Sequence, residues 1–286
     1  MGFIVQLDTV FTDETLPIFY PDSRMNKGSL FLLDFSHPDQ DVSAVPANGA
    51  TLNNIAWENA KKLIPSGIQS TLSSTIVNTL TTPGAIAEIT PKKGLHVIIS
   101  QVNDTQSGNE FQIILPTLVR EYIHANISRG FFISIWDKKT RLATTATTAD
   151  FALLLTNTTN YVAILLNSSL TPLTGNLGRT NSGNVLGNRR NTLGINIFSN
   201  TPTSSGFSFY KFGSGFAYAS AEVNHAPSQV LYHIHIADLT SAKIGAETLA
   251  EACTRLNAKD LVDYNAAFGV GGRFYGDTNT DPSTLP

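Results

Sequence analysis

The chain has 286 residues, and its 19 lysines and arginines against 22 aspartates and glutamates give a formal net charge of −3. Charged residues make up 14% of it, against about 25% in an average soluble domain, which excludes a charged disordered chain and a coiled coil. The near-neutral balance gives no field for nucleic-acid binding, and the one cysteine, Cys253, excludes an intramolecular disulfide framework.

Residues 1–70 predict a mixed segment with short strands and one helix. Residues 3–10 and 29–35 indicate strands, and residues 52–64 show helical spacing that Pro65 and Gly67 end. Asp8 and Asp13 interrupt the apolar start, and no run reaches the length of a membrane span, so we expect no signal peptide and no membrane insertion. We expect this segment to be a docking or assembly arm without a core of its own.

Residues 71–240 predict a mainly β fold, an antiparallel sandwich. Short β-rich runs alternate with turn-rich gaps, and no repeated helix is present for the crossovers that parallel strands need. The stretch 171–191 is rich in glycine and asparagine and contains Arg179, Arg189 and Arg190, so it predicts a large exposed loop. The β-rich runs are 85–89, 95–102, 111–115, 131–136, 151–156, 161–166, 193–199, 207–212, 216–223 and 229–237.

Residues 241–286 predict C-terminal helices and a tail. Apolar residues recur at steps of three and four over 246–256 and 260–268, where Cys253 reads as a core thiol and Gly269 as the glycine that ends the second helix. Residues 271–286 lack a core pattern, so we expect a tail that packs on the sandwich or on a neighbouring subunit.

Alternation along the strands divides their side chains between two faces. Ile133 and Ile135 lie on one face of the 131–137 run, and Ser134 on the other. In the 231–238 run, Tyr232, Ile234 and Ile236 are expected to point inward. Aromatic residues on a mixed face can bind a glycan or a protein, unless a loop or the N-terminal segment covers them. The predicted binding surface comprises Phe132, Trp136, Phe216 and Tyr218.

Signals for catalysis or metal binding are weak. His233 and His235 share a strand face and could hold one edge of a metal site, but they need further ligands such as His225 or Glu222. The sequence contains no GxSxG nucleophile motif and no Glu-x-Asp-x-x-Glu string of a retaining sandwich glycosidase. The glycines at 269–272 follow a helix rather than a strand, unlike a dinucleotide fingerprint. We therefore expect no catalytic residue, no metal ligand and no cofactor.

Two stretches carry a resemblance to a known family. The first combines residues 28–34 (GSLFLLD) with residues 45–49 (VPANG). The second combines residues 232–240 (YHIHIADLT) with residues 272–278 (GRFYGDT), with a helix between them. Together they resemble virion proteins of tailed bacteriophages and prophages, of the tail or fibre-associated kind. The chain between them resembles a concanavalin A-like (laminin G-like) jelly-roll domain.

The resemblance implies a structural virion component of the viral tail or tail fibre that is not an enzyme. It would be assembled in the host cytoplasm by protein–protein contact, as a homo-oligomer and with other virion proteins. Three alternatives stay open: a receptor- or glycan-binding module for host attachment, a capsid decoration protein, and a polysaccharide depolymerase. A host surface glycan is therefore a possible further partner.

Overall fold

The computed structural model describes residues 22–40, 42–104, 109–144, 176–180, 185–194, 210–213 and 223–286. Within these ranges the fold is mainly β, with antiparallel sheets and helices concentrated toward the C-terminal end. The predicted strands at 3–10, 151–156, 161–166 and 216–223 lie outside the described residues, apart from residue 223. Phe216 and Tyr218 therefore lie outside them as well.

The described residues form eleven strands and four α-helices, with short 3-10 turns at Ser70–Leu72, Ile127–Arg129 and Pro282–Thr284. The strands are β1 (Ser29–Asp34), β2 (Thr51–Leu52), β3 (Ser74–Asn78), β4 (Ala85–Ile89), β5 (Leu95–Ile99), β6 (Glu110–Ile114), β7 (Phe131–Arg141), β8 (Asn176–Thr180), β9 (Gly187–Gly194), β10 (Tyr210–Gly213) and β11 (Ser228–Asp238). The helices are α1 (Trp57–Leu63), α2 (Thr117–Ala125), α3 (Leu239–Ala242) and α4 (Leu249–Phe268).

The long strand β11 is the centre of the larger sheet. That sheet has the order β4-β5-β11-β7-β9-β8, and the smaller sheet has the order β10-β6-β3-β2. Strand β7 pairs with β11 along its length, while β5 and then β1 pair with its other edge. Because β1 pairs with β11, residues 29–34 are an integral part of this sheet.

One buried apolar cluster joins the two sheets. Ile133 and Ile135 of β7 pack in it together with Ile76 and Phe111 of the smaller sheet, which confirms the prediction that these two isoleucines share a face. Strand β11 departs from simple alternation, because its register shifts between Leu231 and His233.

The register shift changes which residues of β11 face that core. Leu231, Ile234 and Ile236 lie in the core between the sheets, whereas Tyr232 lies on the opposite face of the larger sheet with Val230. The expectation that Tyr232 points inward with Ile234 is therefore wrong, because a bulge displaces one residue from the two-residue period.

Helix α4 covers that opposite face of the larger sheet. It begins with a capping box, in which Thr248 and Glu251 satisfy each other's backbone amides. The helix begins at Leu249, three residues later than predicted, joins the two predicted stretches into one helix and is capped by Gly269. Cys253 is buried against Phe132, as expected of a core thiol, so the sheet has apolar packing on both faces.

The prediction of an exposed loop at 171–191 is wrong for residues 176–180 and for residues 187–191, which the structure describes as strands. Strands β8 and β9 lie there, and the side chains of Arg189 and Arg190 are buried in ion pairs. The helix predicted at 52–64 is shorter than expected, because β2 occupies residues 51–52. The buried Asn54 then fixes the turn before α1 by accepting a hydrogen bond from the Ala56 amide. Strand β3 and helix α2 had no predicted counterpart.

Candidate functional site

The predicted binding residues Phe132 and Trp136 lie on the helix-facing side of the larger sheet. Phe132 is 1% exposed and Trp136 is 0% exposed. Phe132 packs against residues of α4, including Leu256, and the Trp136 ring lies 5.7 Å from the ring of Tyr264. The expectation of an open aromatic face is therefore wrong for these two residues, because the amphipathic helix covers them.

Arg24 organises a buried charged cluster at this interface. Its Nη1 donates to Asp34 Oδ2 at 2.5 Å, and its Nε donates to Asp22 Oδ1 at 2.7 Å. A further hydrogen bond joins Arg24 Nη2 to the second Asp22 carboxylate oxygen. Nη1 also lies 3.0 Å from His233 Nδ1, so one guanidinium connects the segment before β1 to both β1 and β11.

Arg273, from the segment after α4, completes the cluster. Its Nη1 lies 2.7 Å from Asp34 Oδ2. Its guanidinium carbon is 5.8 Å from the Trp136 ring centroid, and that of Arg24 is 5.7 Å from the same ring. The buried Asp34 carboxylate thus has two cationic partners, each of them also within cation–π range of one tryptophan.

A second set of ion pairs ties β9 to its neighbours. Arg189 and Asp137 form a bidentate pair, with Nε 3.0 Å from Oδ1 and Nη2 2.5 Å from Oδ2. Arg190 Nε donates to Asp260 Oδ2 of α4 at 2.6 Å, and the same carboxylate accepts from Trp136 Nε1 at 3.2 Å. These buried charges lie where one element contacts another. Charge-assisted hydrogen bonds from each guanidinium to a carboxylate compensate there for the loss of contact with water.

Burial sets the protonation states in the cluster. It lowers the pKa of His235 to about 4, with the nearby Arg24 charge acting in the same direction. It also lowers the pKa of His233 well below its usual range. Burial alone would raise the pKa of Asp22, but the hydrogen bonds and charge of Arg24 lower it to about 2. Both imidazoles are therefore neutral near pH 7, and Asp22 is ionised.

The two histidines share a face of β11, but their contacts are with protein groups. His235 Nε2 lies 2.9 Å from Ser29 Oγ, and His225 is 2.6 Å from Thr144 Oγ1 through its Nδ1. Glu222 lies outside the described residues. Within the described ranges no group of three or more His, Cys, Asp or Glu side chains is arranged to hold a metal ion.

A small cleft of about 300 Å³ opens over the cluster. Its lining includes Asp22, Arg24, Trp136, Asp263 and Arg273. Arg24 and Arg273 both already pair with aspartates. The cleft is therefore lined by charges of both signs. The ion pairs of Arg24 and Arg273 with Asp22 and Asp34 hold together the segments from which these residues come.

The C-terminal segment packs on its own chain. The Asp277 carboxylate accepts hydrogen bonds from Tyr232 Oη at 2.8 Å, from Thr90 Oγ1 at 2.6 Å and from the Lys92 amide at 3.0 Å. The Pro286 carbonyl accepts from the Gln101 amide at 3.0 Å. These contacts place the C-terminal segment on the larger sheet of its own chain.

Sequence reasoning did not find Arg24, Asp34, Asp260 or Arg273 as members of a cluster. Asp34 had a recognisable signal, because it directly follows the apolar run Leu30–Leu33 and a carboxylate there must find a partner when the strand is buried. Its partners come from distant parts of the sequence, so only the fold identifies them.

No protein-family model matches this sequence, and no curated protein matches it. Among solved structures, the chain is similar to a Trypanosoma rangeli sialidase in complex with 2-keto-3-deoxy-D-glycero-D-galacto-2,3-difluoro-nononic acid, at 9% identity and a TM-score of 0.33. The similarity covers 81% of this chain and 33% of the sialidase, so the chain spans about a third of that protein's length. A similarity this weak carries no argument about fold or activity. None of the described helices is long and apolar enough to cross a membrane.

Proposed function

We propose that the chain is a structural component of a tailed-bacteriophage particle, of the tail or fibre apparatus, that acts by protein–protein assembly. In this proposal the two sheets form a concanavalin A-like jelly-roll sandwich, and the protein is located in the virion. Its partners are other virion proteins and further copies of itself.

The observation that carries the proposal is that segments resembling phage virion proteins contact one another in the folded chain. Residues 28–34 include β1, which pairs with β11 in residues 232–238. Residues 272–278 contribute Arg273, which pairs with Asp34 of the first segment. Three of the four segments that carry the resemblance thus form one contiguous unit, which supports a resemblance to a common folded core rather than to scattered short motifs.

Apolar side chains on the helical layer support an assembly role. Val262 is 66% exposed and Val270 is 88% exposed, and Ile244 and Tyr275 are also exposed. Exposed apolar side chains are the groups that a neighbouring subunit would cover, and Val270, just after α4, and Val262, on α4, are the most exposed of these four. A neighbouring subunit of the particle is the proposed occupant of this layer.

Mass spectrometry of gradient-purified particles from a lysate that contains this protein tests the proposal. We expect the chain to be enriched in the particle fraction, and the double variant Val262→Asp/Val270→Asp to fold normally but to be incorporated less. The matched control is Glu121→Gln, an exposed change on α2. A chain that stays in the soluble lysate as a monomer would contradict the proposal, and clearing of host capsule by the pure protein would favour a depolymerase instead.

A further inference from the structure

A second pocket, of about 440 Å³, lies at the start of helix α1 and shares no lining residue with the cleft over the charged cluster. It lies between the turn that contains Asp39, the connection from β2 to α1, and the turn before residue 70. Its volume is within the range of about 300–1,000 Å³ that is typical of small-molecule sites. The side chains that matter for its chemistry are Asp39, Asn53, Trp57, Glu58 and Gln69.

Trp57 gives this pocket an aromatic wall. The chain has two tryptophans; Trp136 is fully buried, whereas Trp57 is partly exposed. The Trp57 indole makes no hydrogen bond with any residue in the described ranges. An indole combines an apolar ring with one N–H donor, which suits a ligand that has both an apolar face and hydroxyl groups.

The polar side chains of the pocket are carboxylates and amides. Glu58 and Gln69 are exposed, and their side chains make no hydrogen bond with the described part of the chain. Asp39 is also exposed, and Asn53 uses its amide nitrogen for a 3.2 Å bond to the Asp39 carbonyl. The pocket therefore offers carboxylate and amide oxygens as acceptors, and amide and indole N–H groups as donors.

Hydrogen bonds made by the side chains of Asn54 and Gln40 fix the backbone around the pocket. The buried Asn54 accepts hydrogen bonds from the Leu32 amide at 2.9 Å and the Ala56 amide at 3.0 Å, and donates to the Leu30 carbonyl at 2.9 Å. Gln40 Nε2 donates to the Asn53 carbonyl at 3.0 Å. A ligand at this position meets a pre-formed site, which lowers the entropic cost of binding.

This chemistry selects the class of ligand. The lining contains two carboxylates and no lysine or arginine, so an anionic ligand such as a phosphate or a sialic acid is disfavoured. Within the described ranges no group of three or more His, Cys, Asp or Glu side chains, in this pocket or elsewhere, is arranged to hold a metal ion. A sugar ring without charge fits, because its hydroxyls pair with carboxylates and amides and its C–H face packs on an indole.

We propose that this pocket, with Trp57 as its wall and Glu58 and Gln69 as its hydrogen-bonding groups, binds a neutral carbohydrate. This goes beyond the assembly role proposed above, and it places glycan binding at a site other than the covered face that contains Trp136. The two proposals are independent, since particle incorporation does not require the pocket and sugar binding does not require a particle.

Tryptophan fluorescence of the purified full chain tests this inference directly. The probes are glucose, galactose, mannose and N-acetylglucosamine with their short oligomers, and N-acetylneuraminic acid and CaCl₂ serve as charged probes. We expect a saturable change in emission with at least one neutral sugar. The conservative variant Trp57→Phe should abolish this change, because the remaining Trp136 is buried.

Calorimetry separates the pocket's role from a change in folding. Glu58→Ala and Gln69→Ala truncate exposed side chains, so both variants should fold, and each should weaken sugar binding about tenfold through a lost hydrogen bond. Glu121→Ala, which truncates a side chain that is also exposed on α2, is the matched control and should bind as the wild type does. Three results would overturn the inference: no neutral sugar binds, only the charged probes bind, or the pocket variants bind as tightly as the control.

Discussion

Replacing Arg189 by methionine is the sharpest test of the ion pairs that join β9 to β7. The Arg189 and Asp137 side chains are both 0% exposed, and two N–H···O contacts of 3.0 and 2.5 Å join them. Arg189 Nη2 also donates to Gln229 Oε1 at 2.9 Å. Methionine keeps most of the apolar volume but removes the charge and the donors, so Asp137 loses its guanidinium partner.

The expected cost follows from this burial. Breaking a fully buried ion pair by removing one partner lowers the free energy of unfolding by about 3–5 kcal/mol. The double variant Asp137→Leu/Arg189→Met removes both charges, so the main remaining loss is the hydrogen bond to Gln229, worth about 1 kcal/mol. We therefore expect the double variant to be more stable than the Arg189→Met single variant by about 2–4 kcal/mol.

Equilibrium unfolding in urea, followed by circular dichroism, measures these differences. Lys259→Met is the control, because Lys259 pairs with Asp263 on the surface at 2.7 Å with 42% and 22% of the side chains exposed. That exposed pair should contribute only about 0.3–0.5 kcal/mol. The reasoning is refuted if Arg189→Met costs no more than Lys259→Met, or if the double variant is less stable than the Arg189→Met single variant.

Three further predictions concern the histidines, the covered tryptophan and the tail. The pKa of His235 is about 4 in the folded protein and about 6.5 in the unfolded chain, so protonation of His235 favours the unfolded state. The free energy of unfolding should therefore be highest above pH 6.5 and fall by up to roughly 3 kcal/mol between pH 6.5 and 4. Denaturant titrations across that pH range should show this loss, and the variant His235→Phe should lose less. Trp136→Ala should lower the free energy of unfolding by about 3–5 kcal/mol, and the molecules that remain folded should bind glycans as the wild type does. A Trp136→Ala variant that is as stable as the wild type but no longer binds glycans would instead support the prediction that Trp136 belongs to a binding surface. Asp277→Ala should cost about 1–3 kcal/mol, since it leaves the Tyr232 hydroxyl without its acceptor; an unchanged melting temperature would contradict the tail contacts.

The strands with strong apolar runs were the predictable part of the fold. Residues 85–89 form β4 as predicted, and 229–237 lie within β11, because β-branched and aromatic residues in short runs between turn signals leave few alternatives. That Ile133 and Ile135 share one face of β7 followed from alternation alone. Alternation failed for Tyr232 because the bulge depends on how two distant strands pair, and the local sequence carries no signal for it.

The polar strands and the charged cluster were beyond sequence reasoning for a common physical reason. Strand β9 has the sequence GNRRNTLG, which resembles a loop because its arginines are expected in water. They are buried only because Asp137 and Asp260, from β7 and α4, lie opposite them. The covering of Trp136 likewise depends on where α4 docks, and a sheet face that a helix covers looks the same in sequence as one that binds a glycan.

Immunogold labelling of purified phage particles with an antibody to this chain, viewed by negative-stain electron microscopy, tests the central proposal most directly. The proposal predicts gold at the tail tip or along the fibres. Gold spread over the head would instead indicate a capsid decoration protein. The absence of gold from every particle, with the protein present in the same lysate, would contradict a role in the virion.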